Sequence, residues 1–304
     1  MAMNGPQPQP QEPLDKALKE LVKNVSNALS ALPAYFQTAT RIEGLDGGEL
    51  FNLSAVLGSA IEVQVVETLN RIREVWDPDN RWPRHRFVRS AQTFPDVRLV
   101  AHGKDKDPDI ALGIELKGWY LLSKEREPSF RYTVTPSACA PQDLLVVVPW
   151  HLKNVLSGEP VVYKPYIEQA RHVAELRNWF WINCRNTRDS LEERQVKPPK
   201  ERVNPYPLPK TEIADRPAND GGKNFGRIAR ITGLMDDYTS SLRAQRIAGI
   251  PADHWIVFFK RHAEAKDPDK ILASLKRDLS QRGVNKDVPA DFAEVISRIV
   301  EWFR

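Results

Sequence analysis

In the stretch DIALGIELKGWY, residues 109–120, an acid and a base lie two apart: Glu115 and Lys117. Ile110, Leu112, Ile114 and Leu116 alternate with them, which is the period of a strand with one apolar face. Side chains two apart on a strand point the same way, so carboxylate and ammonium share the other face. A second carboxylate lies upstream in FPDVRLV, where Asp96 starts the preceding strand. If the two strands form a hairpin turning within GKDKDP, positions 96 and 115 are symmetric about Asp105 and Lys106. Asp96 then opposes Glu115, with Cα atoms roughly 4.5–5.5 Å apart. Two carboxylates that close repel unless a cation lies between them. Hard oxygen ligands of this kind suit Mg²⁺, with water and substrate phosphate completing the shell. Lys117 beside such an ion can orient a water or steady a phosphate, and metal, lysine and water together suit phosphodiester hydrolysis. Asp109 is a competing acid on the same face. Six residues of strand put it roughly 20 Å from Glu115, too far to share an ion. The ordinary alternative is a solvated Glu/Lys pair on a half-exposed strand.

Pro95-Asp96 followed by Glu115-Leu116-Lys117 resembles the PD-(D/E)xK motif of nucleases, many type II restriction endonucleases among them. The resemblance covers roughly residues 50–185. It implies an α/β fold with a restriction-endonuclease-like core, a central mixed β-sheet flanked by helices. It also implies Mg²⁺, or Mn²⁺ as a substitute, on Asp96 and Glu115, with Lys117 serving the attacking water. The implied substrate is double-stranded DNA cut at a short specific sequence. The family places a helix before the hairpin, often with a glutamate facing the site. Glu62, in LGSAIEVQVVETLNRIREVW, shares a helical face with Val65, Val66 and Leu69 and is carried over as the assisting catalytic acid. The other reading of Glu62 is a stripe-edge glutamate paired to an arginine. Glu67 lies with Val63, Arg71 and Glu74 and reads as exposed. Cutting both strands calls for two sites, hence a homodimer. With no methyltransferase or helicase motif in the chain, a cognate methyltransferase would be a functional partner rather than a bound subunit.

The elements around these residues read as follows. Residues 1–13, rich in Pro and Gln, are a disordered tail. Residues 14–47 are an N-terminal helical segment, with Leu14, Leu18, Leu21, Val25, Leu29 and Leu32 forming one stripe. The nuclease core spans 48–184: a helix from Gly48 to Val75 stopped by WDPDNRWP, strands over 86–150, a further strand in PVVYK, and a helix in PYIEQARHVAELRNWFW. Leu144–Val148 is apolar on both faces, as a central strand would be. A Pro- and charge-rich arm follows over 185–224, then a C-terminal segment, 225–304, with a helix in NFGRIARITGLMDDYTSSLRAQRIAG, a strand in HWIVFFK and final helices. This order predicts α/β with a mixed sheet.

The 304 residues carry a formal charge of +4 and a pI near 9.0, a lean toward polyanions that many enzymes share. Arg81, Arg84, Arg86 and Arg89 lie near Trp82 and Phe87, and Lys124, Arg126 and Arg131 follow the motif strand. These are candidate DNA contacts, against the usual reading of a solvated charged surface. GGKNFGR lacks the spacing of a Walker A loop and reads as a turn capping a helix. Cys139 and Cys184 have no metal-ligand spacing. No secretory leader or membrane span is evident, so a cytoplasmic protein is expected. The 14–32 stripe and the arm are candidate dimer or DNA-wrapping elements. Two rivals remain: a repair or recombination nuclease of the same fold that cuts by structure, and a non-catalytic nucleic-acid-binding protein.

Overall fold

Asp15 starts the first helix. Its carboxylate accepts from the backbone N–H of Ala17 (2.6 Å) and Leu18 (3.2 Å), a side-chain N-cap. The helix, α1 (Lys16–Ser30), buries Leu21, Val25, Ala28 and Leu29, and a short α2 (Leu32–Tyr35) follows it. This computed structural model describes residues 6–13, 15–44, 53–90, 93–101, 108–184, 190–222 and 224–264. Leu14, the start of the second helix at 48–52, the hairpin turn at 102–107 and the final helices after 264 lie outside the described residues.

The second helix is present as α3 (Leu53–Arg71), continued by a one-turn α4 (Arg73–Trp76). Trp76 is buried, donates its indole N–H to the Leu69 carbonyl (2.8 Å), and meets Phe87 edge-on at 5.2 Å. The apolar stripe of α1 packs on α4 and joins this same core, so it is covered by its own chain rather than left for a second subunit.

Six strands form one mixed sheet: β1 (His85–Arg89), β2 (Val97–Ala101), β3 (Asp109–Tyr120), β4 (Leu144–Leu152), β5 (Pro160–Val162) and β6 (Tyr166–Gln169). β1, β2 and β3 run antiparallel, β4 is parallel to β3, and β5 and β6 both pair antiparallel with β4. All nine residues of β4 are buried, as expected for a strand covered on both faces. Helix α5 (Ala170–Asn183) follows β6, so the predicted helix at 165 begins as strand. The sheet is thus a mixed α/β sheet flanked by helices.

The two faces can be told apart by register. Phe87, Leu99 and Leu112 are laterally paired, as are Arg89, Val97 and Ile114, and this is the face toward α3 and α4. A Cβ on Gly118, of the same parity, would stand 3.4 Å from the Gly58 carbonyl of α3. Glu115 and Lys117 therefore face the other way, toward the β3–β4 crossover, α5 and the arm.

Two expectations fail in the C-terminal third. HWIVFFK is helix α7 (Ala252–Glu264), entered through Pro251, with Trp255, Ile256, Phe258 and Phe259 all buried. A short all-apolar run has no period that separates strand from buried helix, and its burial on several sides decides for helix here. The helix expected over 224–249 is largely irregular, with α6 (Asp236–Arg243) its one α-helical part among the described residues. Gly226 and Gly233 at positive φ interrupt it.

Of the Pro- and Gln-rich tail, residues 6–13 are described. Gln11 donates its backbone N–H to Gln169 Oε1 (2.9 Å) beside α5. Among the described residues no helix is long and apolar enough to cross a membrane.

Candidate active site

Asp96, Glu115 and Lys117 meet. Lys117 Nζ lies 2.8 Å from Asp96 Oδ2 and 2.8 Å from Glu115 Oε1, and Asp96 N–H points at Glu115 Oε2 at 3.4 Å. The β2–β3 ladder ends at Val97 opposite Ile114, and one further step sets Asp96 opposite Glu115. A β-bulge makes this possible. Near the turn Val100 pairs with Ile110, but Leu99 pairs with Leu112, so Ala111 is an extra residue. Without it, Asp96 would oppose Ile114 and point to the α3 face.

The strands approach closely at this end. A Cβ on Gly113 would collide with the Pro95 ring and lie 2.8 Å from Asp143 Oδ1, so only glycine fits there. Asp143 accepts from Gly113 N (2.8 Å), Ala140 N (2.8 Å) and Tyr206 Oη (2.9 Å), tying β3, the crossover and the arm together. Burial pushes its carboxyl up to about 6, against the pull of those three donors and Arg98.

The electrostatics of the cluster follow from two acids sharing one base. Burial pushes the Glu115 carboxyl up to about 7; Lys117 pulls it down and Asp96 pushes it further up. Burial disfavours the Lys117 ammonium, but Glu115 and Asp96 outweigh burial and hold it protonated above the usual lysine range. The ammonium thus stands where a cation between the two carboxylates would stand. Two carboxylates are enough for Mg²⁺, which keeps waters and substrate phosphate as its other ligands. Among the described residues no group of three or more His, Cys, Asp and Glu forms a closed metal cage.

Glu62 is not brought to the cluster. Its carboxylate meets Arg89 Nη2 at 3.0 Å on the α3 face, the face opposite Glu115. The arginine-paired alternative is the arrangement found, because the period that turns Glu62 inward aims it at the edge of β1. Asp109 stands at the far end of β3, 3.4 Å from His85 Nε2. Glu67 is exposed.

The candidate DNA contacts divide. Arg81 is paired to Glu20 (2.6 Å) and Asp79, Arg126 to Asp253 (3.4 Å), and Arg131 to Asn224 (3.0 Å) and Asp220. Arg84, Arg86 and Lys124 are exposed and make no ion pair among the described residues.

Glu115 also lines a cleft of about 200 Å³ with Thr93, Phe94, Val134, Pro207, Leu208, Lys210, Thr211 and Ile213. Half of this wall comes from the arm, which sequence reasoning could not attach to any strand. The contacts that attach it span tens of residues: Tyr206 to Asp143, and Asp215 to Arg177 (2.6 Å) and Asn178 (2.7 Å). Arg98, two residues after Asp96, was also missed. It donates to the Phe94 carbonyl (2.8 Å) and lies 6.0 Å from the Tyr206 ring. Of GGKNFGR, Lys223 lies outside the described residues; Gly226 O accepts from Tyr132 N (2.8 Å), and Arg227 leads into a 3₁₀ turn rather than an α-helix.

No family model, curated protein or solved structure matches the chain.

Proposed function

We propose that this protein is a divalent-cation-dependent nuclease of the restriction-endonuclease-like type, which hydrolyses phosphodiester bonds of double-stranded DNA at a short specific sequence. The observation that carries the reading is the junction of Asp96, Glu115 and Lys117 beside an open cleft. The motif order supports it: α3 comes first, Pro95-Asp96 enters β2, and Glu115-Leu116-Lys117 lies within β3.

Asp96 and Glu115 would hold Mg²⁺, with Mn²⁺ able to replace it. The ion would polarise the phosphate and lower the pKa of a bound water. With the charge of the carboxylates met, Lys117 would be free to hold the attacking water or to stabilise the charge that develops on the phosphate. Glu115, its carboxyl pushed up to about 7 by burial, would be mainly ionised above neutral pH and would then orient the attacking water through a carboxylate oxygen. Phe94 and Val134 contribute apolar wall to the cleft. Paired cuts in a duplex call for a homodimer. A cognate methyltransferase would protect host sites without binding the nuclease.

The test is supercoiled plasmid incubated with Mg²⁺ and with EDTA, followed by end-sequencing of the products. The reading expects discrete fragments sharing one end sequence, none in EDTA, and binding without cutting in Ca²⁺. Mg²⁺-dependent cutting with no shared end sequence would move the protein to a structure-directed repair or recombination nuclease. DNA retention with no cutting under any divalent ion would leave a binding protein. Undiminished cutting in EDTA contradicts the reading outright.

A further inference from the structure

The arm crosses the candidate site as a strap with both ends pinned. At one end Tyr206 Oη donates to Asp143 Oδ1 at 2.9 Å, and Asp143 also accepts from Gly113, two residues before Glu115. At the other end Asp215 is bound by Arg177 (2.6 Å) and Asn178 (2.7 Å), and its backbone N–H donates to Thr133 O (2.8 Å). A bridge between Val134 and Ala214 and the bond from Thr135 N to Ile213 O (2.7 Å) extend that attachment. Between the pins, residues 208–212 are exposed. Pro205, Pro207 and Pro209 restrict the chain on approach to this tip, so the strap is stiff without secondary structure. Lys210 sits at φ 71°, a left-handed conformation that a non-glycine residue adopts at a cost, and Thr211 N closes a tight turn onto Leu208 O (3.2 Å).

The strap presents Lys210 and Thr211 to the same cleft that Glu115 lines from the sheet. The sheet side offers two carboxylates and one ammonium, a poor reception for a polyanion. Lys117 is held by its two acids, and Arg98 is turned to a backbone carbonyl. Lys210 makes no ion pair among the described residues, so its charge is available to the cleft. Resting on the nuclease reading above, we infer that the strap 206–215 is the second jaw of the substrate site. Lys210 and Thr211 grip the phosphate backbone of the strand being cut, across the cleft from Asp96 and Glu115. A cleft of about 200 Å³ suits one short stretch of a single strand, gripped by its phosphates. Lys210 is a positioning residue: it fixes where the strand lies, and the reacting atoms stay with the sheet.

The test uses the full chain and a short fluorescent DNA duplex, with Ca²⁺ in place of Mg²⁺ and anisotropy read over a series of salt concentrations. Lys210→Ala should weaken binding about tenfold at low salt and reduce the slope of log affinity against log salt by about one, the loss of one phosphate contact. Lys210→Arg should restore most of the affinity, and Thr211→Val should weaken it less than Lys210→Ala. In Mg²⁺, Lys210→Ala should raise KM more than it lowers kcat. Lys16→Ala, an exposed charge on α1, is the control and should match wild type. Superimposable binding curves for wild type and Lys210→Ala overturn the inference while leaving the nuclease standing, provided wild type cuts with Mg²⁺. A wild-type chain that neither binds the duplex nor cuts it overturns both.

Discussion

Two clusters of buried charge lie on the same side of the sheet and differ in almost every respect. Arg177 and Asp215 form one cation and one anion, 2% and 1% exposed, with the guanidinium also donating to the Tyr132 and Val134 carbonyls (2.8 and 3.0 Å). Asp96, Glu115 and Lys117 are two anions and one cation, 24%, 11% and 23% exposed, and Glu115 lines a cleft. The first is balanced and sealed, with Asp215 Oδ2 taken by both Arg177 and Asn178, and it pins the arm to α5. The second carries surplus negative charge toward a space a ligand can enter. A sealed, balanced pair is architecture, because nothing is left for a ligand to neutralise. An open cluster with surplus charge is stable only with a raised carboxyl pKa or a bound cation, and perturbed groups of that kind mark sites of chemistry.

Substitutions should separate the two clusters, and the largest effect is expected on activity. Asp96→Ala, Glu115→Ala and Lys117→Ala should each lower DNA cleavage by on the order of 10²–10⁴-fold while circular dichroism and melting stay close to wild type. Asp109→Ala and Glu67→Ala should change the rate little. Asp215→Ala should do the reverse. It leaves Arg177 buried without its counter-ion and should remove about 3–5 kcal/mol of stability, read by urea unfolding. If Asp215→Ala is as stable as wild type, the contrast between the clusters collapses.

Gly113→Ala tests the close approach that shapes the open cluster. Its methyl would meet Pro95 and Asp143, and a loss of about 1–3 kcal/mol is expected in the same unfolding assay. Asp143 sharpens the comparison through pH. Its folded pKa of about 6 lies above the ordinary 3.8, so the fold favours the neutral acid. Its contribution to stability is therefore full below about pH 4, declines as pH rises to about 6, and is level above that. The difference in melting temperature between wild type and Asp143→Asn should change across that window and be constant from pH 7 to 9. A difference that stays constant from pH 4 to 6 would show that burial does not shift this group. The smallest effect is expected at Glu62→Ala, about 0–1 kcal/mol for its partly exposed pair with Arg89, with cleavage almost unchanged. A hundredfold loss of cleavage there would return Glu62 to the site.

The open cluster was legible in the sequence because it is local. Alternation along β3 and one short hairpin bring Asp96 to Glu115 with few residues between them. Even so, the bulge at Ala111 that keeps the two on one face left no mark in that alternation. Central strand β4 was legible from its unbroken apolar run. The sealed cluster and the strap were not, since Asp215 and Tyr206 find their partners through contacts that no period or spacing encodes. The 14–32 stripe read as helix correctly, but periodicity gives the apolar face of α1 and not what covers it, which is α4. HWIVFFK was missed because five of its seven residues are apolar and adjacent, which suits a strand and a buried helix equally.

The most direct measurement is uptake of Mn²⁺ by the protein, followed as the loss of the free ion's paramagnetic resonance signal at pH 8. If Asp96 and Glu115 form the cation site, wild type should take up one Mn²⁺ per chain, competed by Mg²⁺, and the Asp96→Asn, Glu115→Gln double variant should take up none. Asp215→Asn, where it folds, should bind as wild type does. Equal uptake by wild type and the double variant, or none by either up to millimolar Mn²⁺, would contradict the assignment of the open cluster as the metal centre.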